Sequence, residues 1–139
     1  MPIASTEIQP GAVAYFDVAC LLGASGVRCT AAPGVLRNGP FLCVDIKGDK
    51  SLWLQIIGSA GKEKHRYEIA AEARSGGSDS WRQRPQYLHD PRHPVIASSE
   101  AVVAATAEEL PMPSGRPGVD SALLPAIIAE IRKVRGAAL

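Results

Sequence analysis

The chain has 139 residues, the length of one ordinary domain, and its 46% hydrophobic fraction is sufficient to build a core. With 15 Lys and Arg against 14 Asp and Glu its formal charge is +1, which excludes a strongly cationic nucleic-acid binder and leaves only a local patch for such contacts. No window of about 18 apolar residues is present, so a transmembrane helix is excluded.

Residues 1–7 lack the basic-then-apolar order of a secretory signal. Behind the Pro10-Gly11 turn signal, residues 12–18 read as a first strand. Residues 22–39 carry four glycines, Pro33, Arg28 and Arg37, and read as a long loop with a short strand near 27–30. Loops of that length are usually functional or mobile. The apolar runs 40–46 and 51–57 flank Lys47-Gly48-Asp49-Lys50 and predict a β-hairpin, since Trp, Ile and Val favour a pleated surface. Gly58-Ser59-Ala60-Gly61 ends that pattern, and residues 64–71 predict a further strand. Residues 75–80 have a loop composition. The proline density of 81–94 argues against a helix there, and Val95-Ile96 reads as a short closing strand.

The last third changes character. Ser98 or Ser99 is placed to cap a helix over 100–105 that ends before Pro111. Residues 111–118 form a turn, and a second helix starts near Asp120 or Ser121. Leu123, Leu124, Ile127, Ile128, Ile131 and Val134 fall on one stripe of it, with Arg132, Lys133 and Arg135 near its C-terminal end. The pattern describes a single domain over 1–139, strand-rich over 10–97 and helical over 98–136. The expected class is mainly β with C-terminal helices: a small bent sheet or barrel capped by an amphipathic helix.

Cys20, Cys29 and Cys43 are an odd set in apolar surroundings, as expected of reduced thiols in a cytoplasmic protein. Cys43 lies inside a strand and reads as core. Cys20 and Cys29 border the long loop, where a thiol nucleophile would need a lowered pKa and a histidine such as His65. His89-Asp90-Pro91-Arg92-His93 brings two imidazoles and a carboxylate together, but Pro91 and Pro94 keep the histidines off one helix face. The segment reads as a surface loop, and neither a metal nor a cofactor is assigned. No phosphate loop, dinucleotide fingerprint, nucleophile elbow or zinc-protease motif occurs.

The remaining signal is a set of cations with aromatic residues: Arg28, Arg37, Lys62, Lys64, His65, Arg66, Trp81, Arg82, Arg84, Tyr87 and Arg92. Gathered on one side of a small barrel, they would stack the bases and hold the phosphates of single-stranded RNA. Glu63, Glu68, Asp79 and Asp90 interleave with them, as on an ordinary solvated face.

Three segments carry a family resemblance. Gly11-Ala12-Val13-Ala14-Tyr15-Phe16-Asp17 is a glycine followed by a strand with an acidic end. Arg37-Asn38-Gly39-Pro40-Phe41-Leu42-Cys43-Val44 places a basic residue before a Pro-led apolar strand. Leu54-Gln55-Ile56-Ile57-Gly58-Ser59 ends a strand in a hydroxyl-bearing turn. In this order, with a C-terminal amphipathic helix, the chain resembles the MazF/PemK family, the ribonuclease toxins of bacterial toxin–antitoxin pairs. The resemblance implies an SH3-like barrel, a cognate antitoxin with an acidic tail, and metal-free RNA cleavage; the stripe on the last helix, or an exposed barrel face, would support a homodimer. It casts Arg37 as the phosphate donor, Ser59 as a hydrogen-bonding partner of a phosphate oxygen, and His65 or His89 as the titrating group. The rival reading is a non-catalytic protein-interaction module of the same shape, with the Trp81–Tyr87 segment as its aromatic anchor. A third is a small-molecule binder with the long first loop as lid.

Overall fold

The computed structural model describes residues 2–29, 34–58, 66–89, 94–110, 112 and 114–135. Its centre is the expected hairpin. Strand β3 (Gly39–Lys47) and strand β4 (Lys50–Ile57) pair antiparallel through a two-residue turn in which Gly48 takes φ +63°. A bulge between Cys43 and Asp45 bends β3. β1 (Val13–Phe16) lies along the other edge of β3, with Val13 opposite Leu42.

The outer edge of β4 is shared by two partners. Its first half, from Lys50 to Trp53, pairs with β8 (Val95–Ser98), which in turn pairs with β2 (Val27–Cys29). Ile56 and Ile57 pair instead with β7 (Tyr87–His89), which carries β5 (Arg66–Glu68) on its far side. A separate ladder joins β6 (Arg74–Ser75) to β9 (Gly118–Val119). The protein is mainly β with C-terminal helices, as the pattern predicts, but the sheet does not close into a barrel. The physical reason is the treatment of the β1 edge, which is covered by irregular chain rather than paired to β5.

Alternation along the strands buries both faces of the sheet. On one face Phe16, Phe41, Cys43 and Trp53 meet the N-terminal Ile3 and Ile8 and two helices, α1 (Val18–Gly23) and α3 (Ser99–Ala105). The Phe16 ring lies 4.9 Å from Trp53 edge-on and 5.0 Å from Phe41. On the other face Val13, Leu42, Leu54 and Ile56 meet Ile69, Leu88, Trp81 and the last helix, α4 (Leu124–Arg135). Of the predicted stripe on that helix, Leu124 and Ile127 are buried in the chain's own core, so they are not spare for a dimer. The side chains of Ile131 and Val134 lie outside what is described.

Local rules account for most boundaries. Ser98 caps α3 by accepting from the Ala101 N–H. The first strand stops before 18 because Asp17 caps α1 by accepting from the Cys20 N–H. The expectation of no helix after 80 is corrected by α2 (Asp79–Gln83): Ser78 caps it, and it ends before Pro85. Asp120 caps a 3-10 turn over Ser121–Leu123 that leads into α4. Among the described residues no helix is long and apolar enough to cross a membrane.

The free edge of β1 is sealed by Ala105, Glu109, Arg116 and Pro117. The Asp17 N–H donates to Ala105 O, the Val13 N–H to Pro117 O, and the Tyr15 N–H to Glu109 Oε2 at 2.8 Å. Arg116 completes the seal: its guanidinium grips Glu109 with both Nη atoms, at 2.8 and 2.9 Å, and donates to Val13 O at 3.1 Å. The Glu109 side chain is fully buried and that of Arg116 is 14% exposed. Burial opposes the Arg116 charge, but the Glu109 hydrogen bonds and charge, with help from Glu7, outweigh it and hold its pKa above the usual value.

Candidate nucleic-acid interface

Arg37 is exposed, yet its backbone is tightly held. Its N–H donates to Gln55 Oε1 at 2.7 Å, and Gln55 Nε2 donates back to Val35 O at 3.3 Å. Gln55 itself is buried on β4. The next residue, Asn38, accepts from the Val18 N–H at 2.8 Å through Oδ1, tying the loop to the start of α1. Three hydrogen bonds thus fix the backbone around one solvent-facing guanidinium.

Register extends this site across the sheet. Gln55 is opposite Phe41, so its side chain lies on the α1/α3 face, and Ile57 follows it on that face at a spacing of two. Ile57 is paired with Tyr87, which is paired with Glu68. Arg37, Gln55, Ile57, half-buried Tyr87 and exposed Glu68 therefore share one side of the β4–β7–β5 half-sheet. Arg66 pairs with His89 one step further along.

The rest of the expected patch does not assemble there. Arg28 is opposite Ile96, itself opposite Leu52 of the second core, so Arg28 projects from the other face of the sheet. Trp81 is only 2% exposed and donates its indole N–H to Ser75 O at 3.0 Å. It is a core residue, neither a base-stacking platform nor an exposed anchor for a partner. Arg82 spends Nη1 on the Gly76 and Gly77 carbonyls and Nη2 on Asp79, bracing its own turn. Arg84 is exposed at the end of α2. Ser59, Lys62, Lys64, His65 and Arg92 lie outside the described residues. So do Asp90 and His93 of the histidine loop.

Comparison with known proteins decides nothing further. No family model, no curated protein and no solved structure matches this chain.

Cys43 is fully buried, and burial pushes its thiol from 9.0 up to about 12, so it is no nucleophile. Cys20 is exposed and Cys29 half-buried. Among the described residues no group of three His, Cys, Asp or Glu is arranged to hold a metal ion. Two features escaped the sequence reading. Arg74 is buried beneath α2, with Nη1 donating to the Trp81 and Arg84 carbonyls and its guanidinium 5.8 Å from the Trp81 ring centre. The Glu109–Arg116 pair is the other. Neither carries a signature in the sequence, because the partners, seven residues apart, belong to no common helix or strand.

Proposed function

We propose that the protein binds single-stranded RNA along the Arg37–Tyr87 side of the half-sheet and cleaves it, as the resemblance to the MazF/PemK family implies. The observation that carries this reading is the clamp on Arg37. Buried Gln55 satisfies its own amide on the Arg37 and Val35 backbone and so holds Arg37 in place, and a phosphate-binding arginine gains from such a fixed origin. Half-buried Tyr87, paired with Ile57 on the same side of the half-sheet, is the aromatic residue placed to stack a base.

In the proposed reaction the RNA 2′-oxygen attacks the adjacent phosphorus as its proton is withdrawn. The bond to the 5′-oxygen breaks, that oxygen takes up a proton, and a 2′,3′-cyclic phosphate is left. Arg37 stabilises the charge on the non-bridging oxygens, Ser59 hydrogen-bonds one of them, and the neutral His65 imidazole takes the 2′-hydroxyl proton and, as imidazolium, returns it to the departing 5′-oxygen. A cognate antitoxin would compete for the same face with an acidic segment. The reading places the protein in the cytoplasm.

The test is incubation of purified protein with a long mixed-sequence RNA in the presence of chelator, beside Arg37→Ala. Discrete cuts that survive chelation and disappear in the variant are expected. Intact RNA with both proteins, together with no RNA binding by the unaltered protein, would overturn the proposal.

A further inference from the structure

Asn38 and Gly39, which follow Arg37, form one wall of a cleft of about 590 Å³. Its surface is mainly apolar: Tyr15 and Phe16 from the end of β1, then Leu110, Met112 and Pro117 from the chain that seals that strand. Leu110 is 80% exposed, more than any other large apolar side chain among the described residues. The volume falls in the range of ligand-binding clefts, about 300–1,000 Å³, and Leu110 carries the apolar lining out into solvent beside it.

Charge selects the occupant. Among the described residues, Asp17 and Glu108 line the cleft, no Lys, Arg or His does, and neither carboxylate forms an ion pair. Glu109 also lines it but is already neutralised by Arg116. An acidic, apolar cleft repels a phosphate chain and attracts a cationic one. We propose that it docks an extended segment of a partner protein in which leucine- or phenylalanine-sized side chains alternate with lysine or arginine. The apolar groups would cover Leu110 and Met112 while the cations meet Asp17 and Glu108. This site adjoins the Arg37 face at Asn38 and Gly39, and its partner is a different molecule from RNA.

Two labelled peptides test it: one alternating leucine and phenylalanine with lysine and arginine, the other with glutamate at every basic position. Binding is read by fluorescence anisotropy and by amide chemical shifts of the whole protein. The basic peptide is expected to bind, to shift Tyr15, Gly39 and Leu110, and to weaken as salt is raised. Asp17→Asn with Glu108→Gln should weaken it roughly three- to tenfold, the effect of two rim charges. Asparagine still caps α1, so the fold is kept. Leu110→Ser should weaken binding independently, and Arg37→Ala should not weaken it. No binding of the basic peptide, equal binding of both peptides, or shifts confined to other residues would overturn the proposal. Shifts at Tyr15 and Leu110 on adding single-stranded RNA would overturn it too, by assigning the cleft to RNA.

Discussion

Truncating Glu109 should uncouple the seal on β1. In Glu109→Ala the Arg116 guanidinium, 14% exposed, keeps only Glu7 at 3.4 Å and the Val13 carbonyl at 3.1 Å. The Tyr15 N–H loses its acceptor altogether. Removing one partner of a buried pair costs about 3–5 kcal/mol. The residual contacts of Arg116 put this case near the lower bound, and the stranded amide adds about 1 kcal/mol. A loss of about 3–4 kcal/mol follows, against a total stability of about 5–15 kcal/mol for a domain. Urea unfolding followed by tryptophan fluorescence measures it directly, with an unchanged m-value required for the comparison. Glu109→Met combined with Arg116→Met should recover most of the loss, because no charge is then left buried alone. A single-variant loss below about 1 kcal/mol would refute the argument, since it falls well under the roughly 3 kcal/mol lower bound for breaking a buried pair. A double variant as unstable as the single one would refute it as well.

Trp81→Ala removes a fully packed ring and the surface under Arg74, so unfolding should come about 3–5 kcal/mol earlier in a denaturant series. Gly11→Ala should cost more than about 1 kcal/mol by the same measurement. Gly11 has φ +99°, and an added Cβ would stand 2.5 Å from the Val119 carbonyl oxygen. A thiol reagent on the native protein at pH 8 should label Cys20 and spare Cys43, with full labelling only after denaturation. Cys43 also sets an alkaline limit. Below about pH 9 both folded and unfolded thiols hold their proton, so its contribution is complete; from there towards pH 12 only the unfolded chain releases it, and stability should fall. Tyr15, raised above 10.0 chiefly by burial and then by Glu109, acts in the same direction. Urea midpoints at rising pH should show the decline, and Cys43→Ala should make it shallower.

The elements that were legible in the sequence are those built by contacts close in the chain. The β3–β4 hairpin has alternation on both sides of a glycine turn, and α3 and the 3-10 turn before α4 each begin at a capping side chain. Helix α1 was hidden because six residues, Val-Ala-Cys-Leu-Leu-Gly, are too few to show a helical period, although Asp17 was a cap in plain view. In α2 the prolines after 84 outweighed the Ser78 cap, yet the helix is complete before they begin. The candidate site was legible in its single residues and not in their grouping. Whether Arg28 joins Arg37 depends on pairing passed from β2 through β8 to β4, across residues separated by most of the strand-rich region. Trp81 looked exposed because its neighbours in sequence are charged, and it is buried because α2 turns it onto Ile69 and Leu88. The barrel expected of the pattern fails for a related reason. What covers β1 is a stretch of loop chemistry whose partners lie about a hundred residues earlier.

That separation has a consequence during synthesis. Strand β1 leaves the ribosome early, but the groups that satisfy its outer edge, from Ala105 to Pro117, follow about a hundred residues later. At a translation rate of about 5–20 residues per second the nascent chain carries that edge unpaired for roughly 5–20 s. Throughout this interval the Val13–Phe16 backbone is a template for any extended chain nearby, including a neighbouring nascent copy on the same message. The protein's yield in a cell should therefore respond to codon speed between β1 and residue 117, while the purified, finished molecule remains indifferent to it.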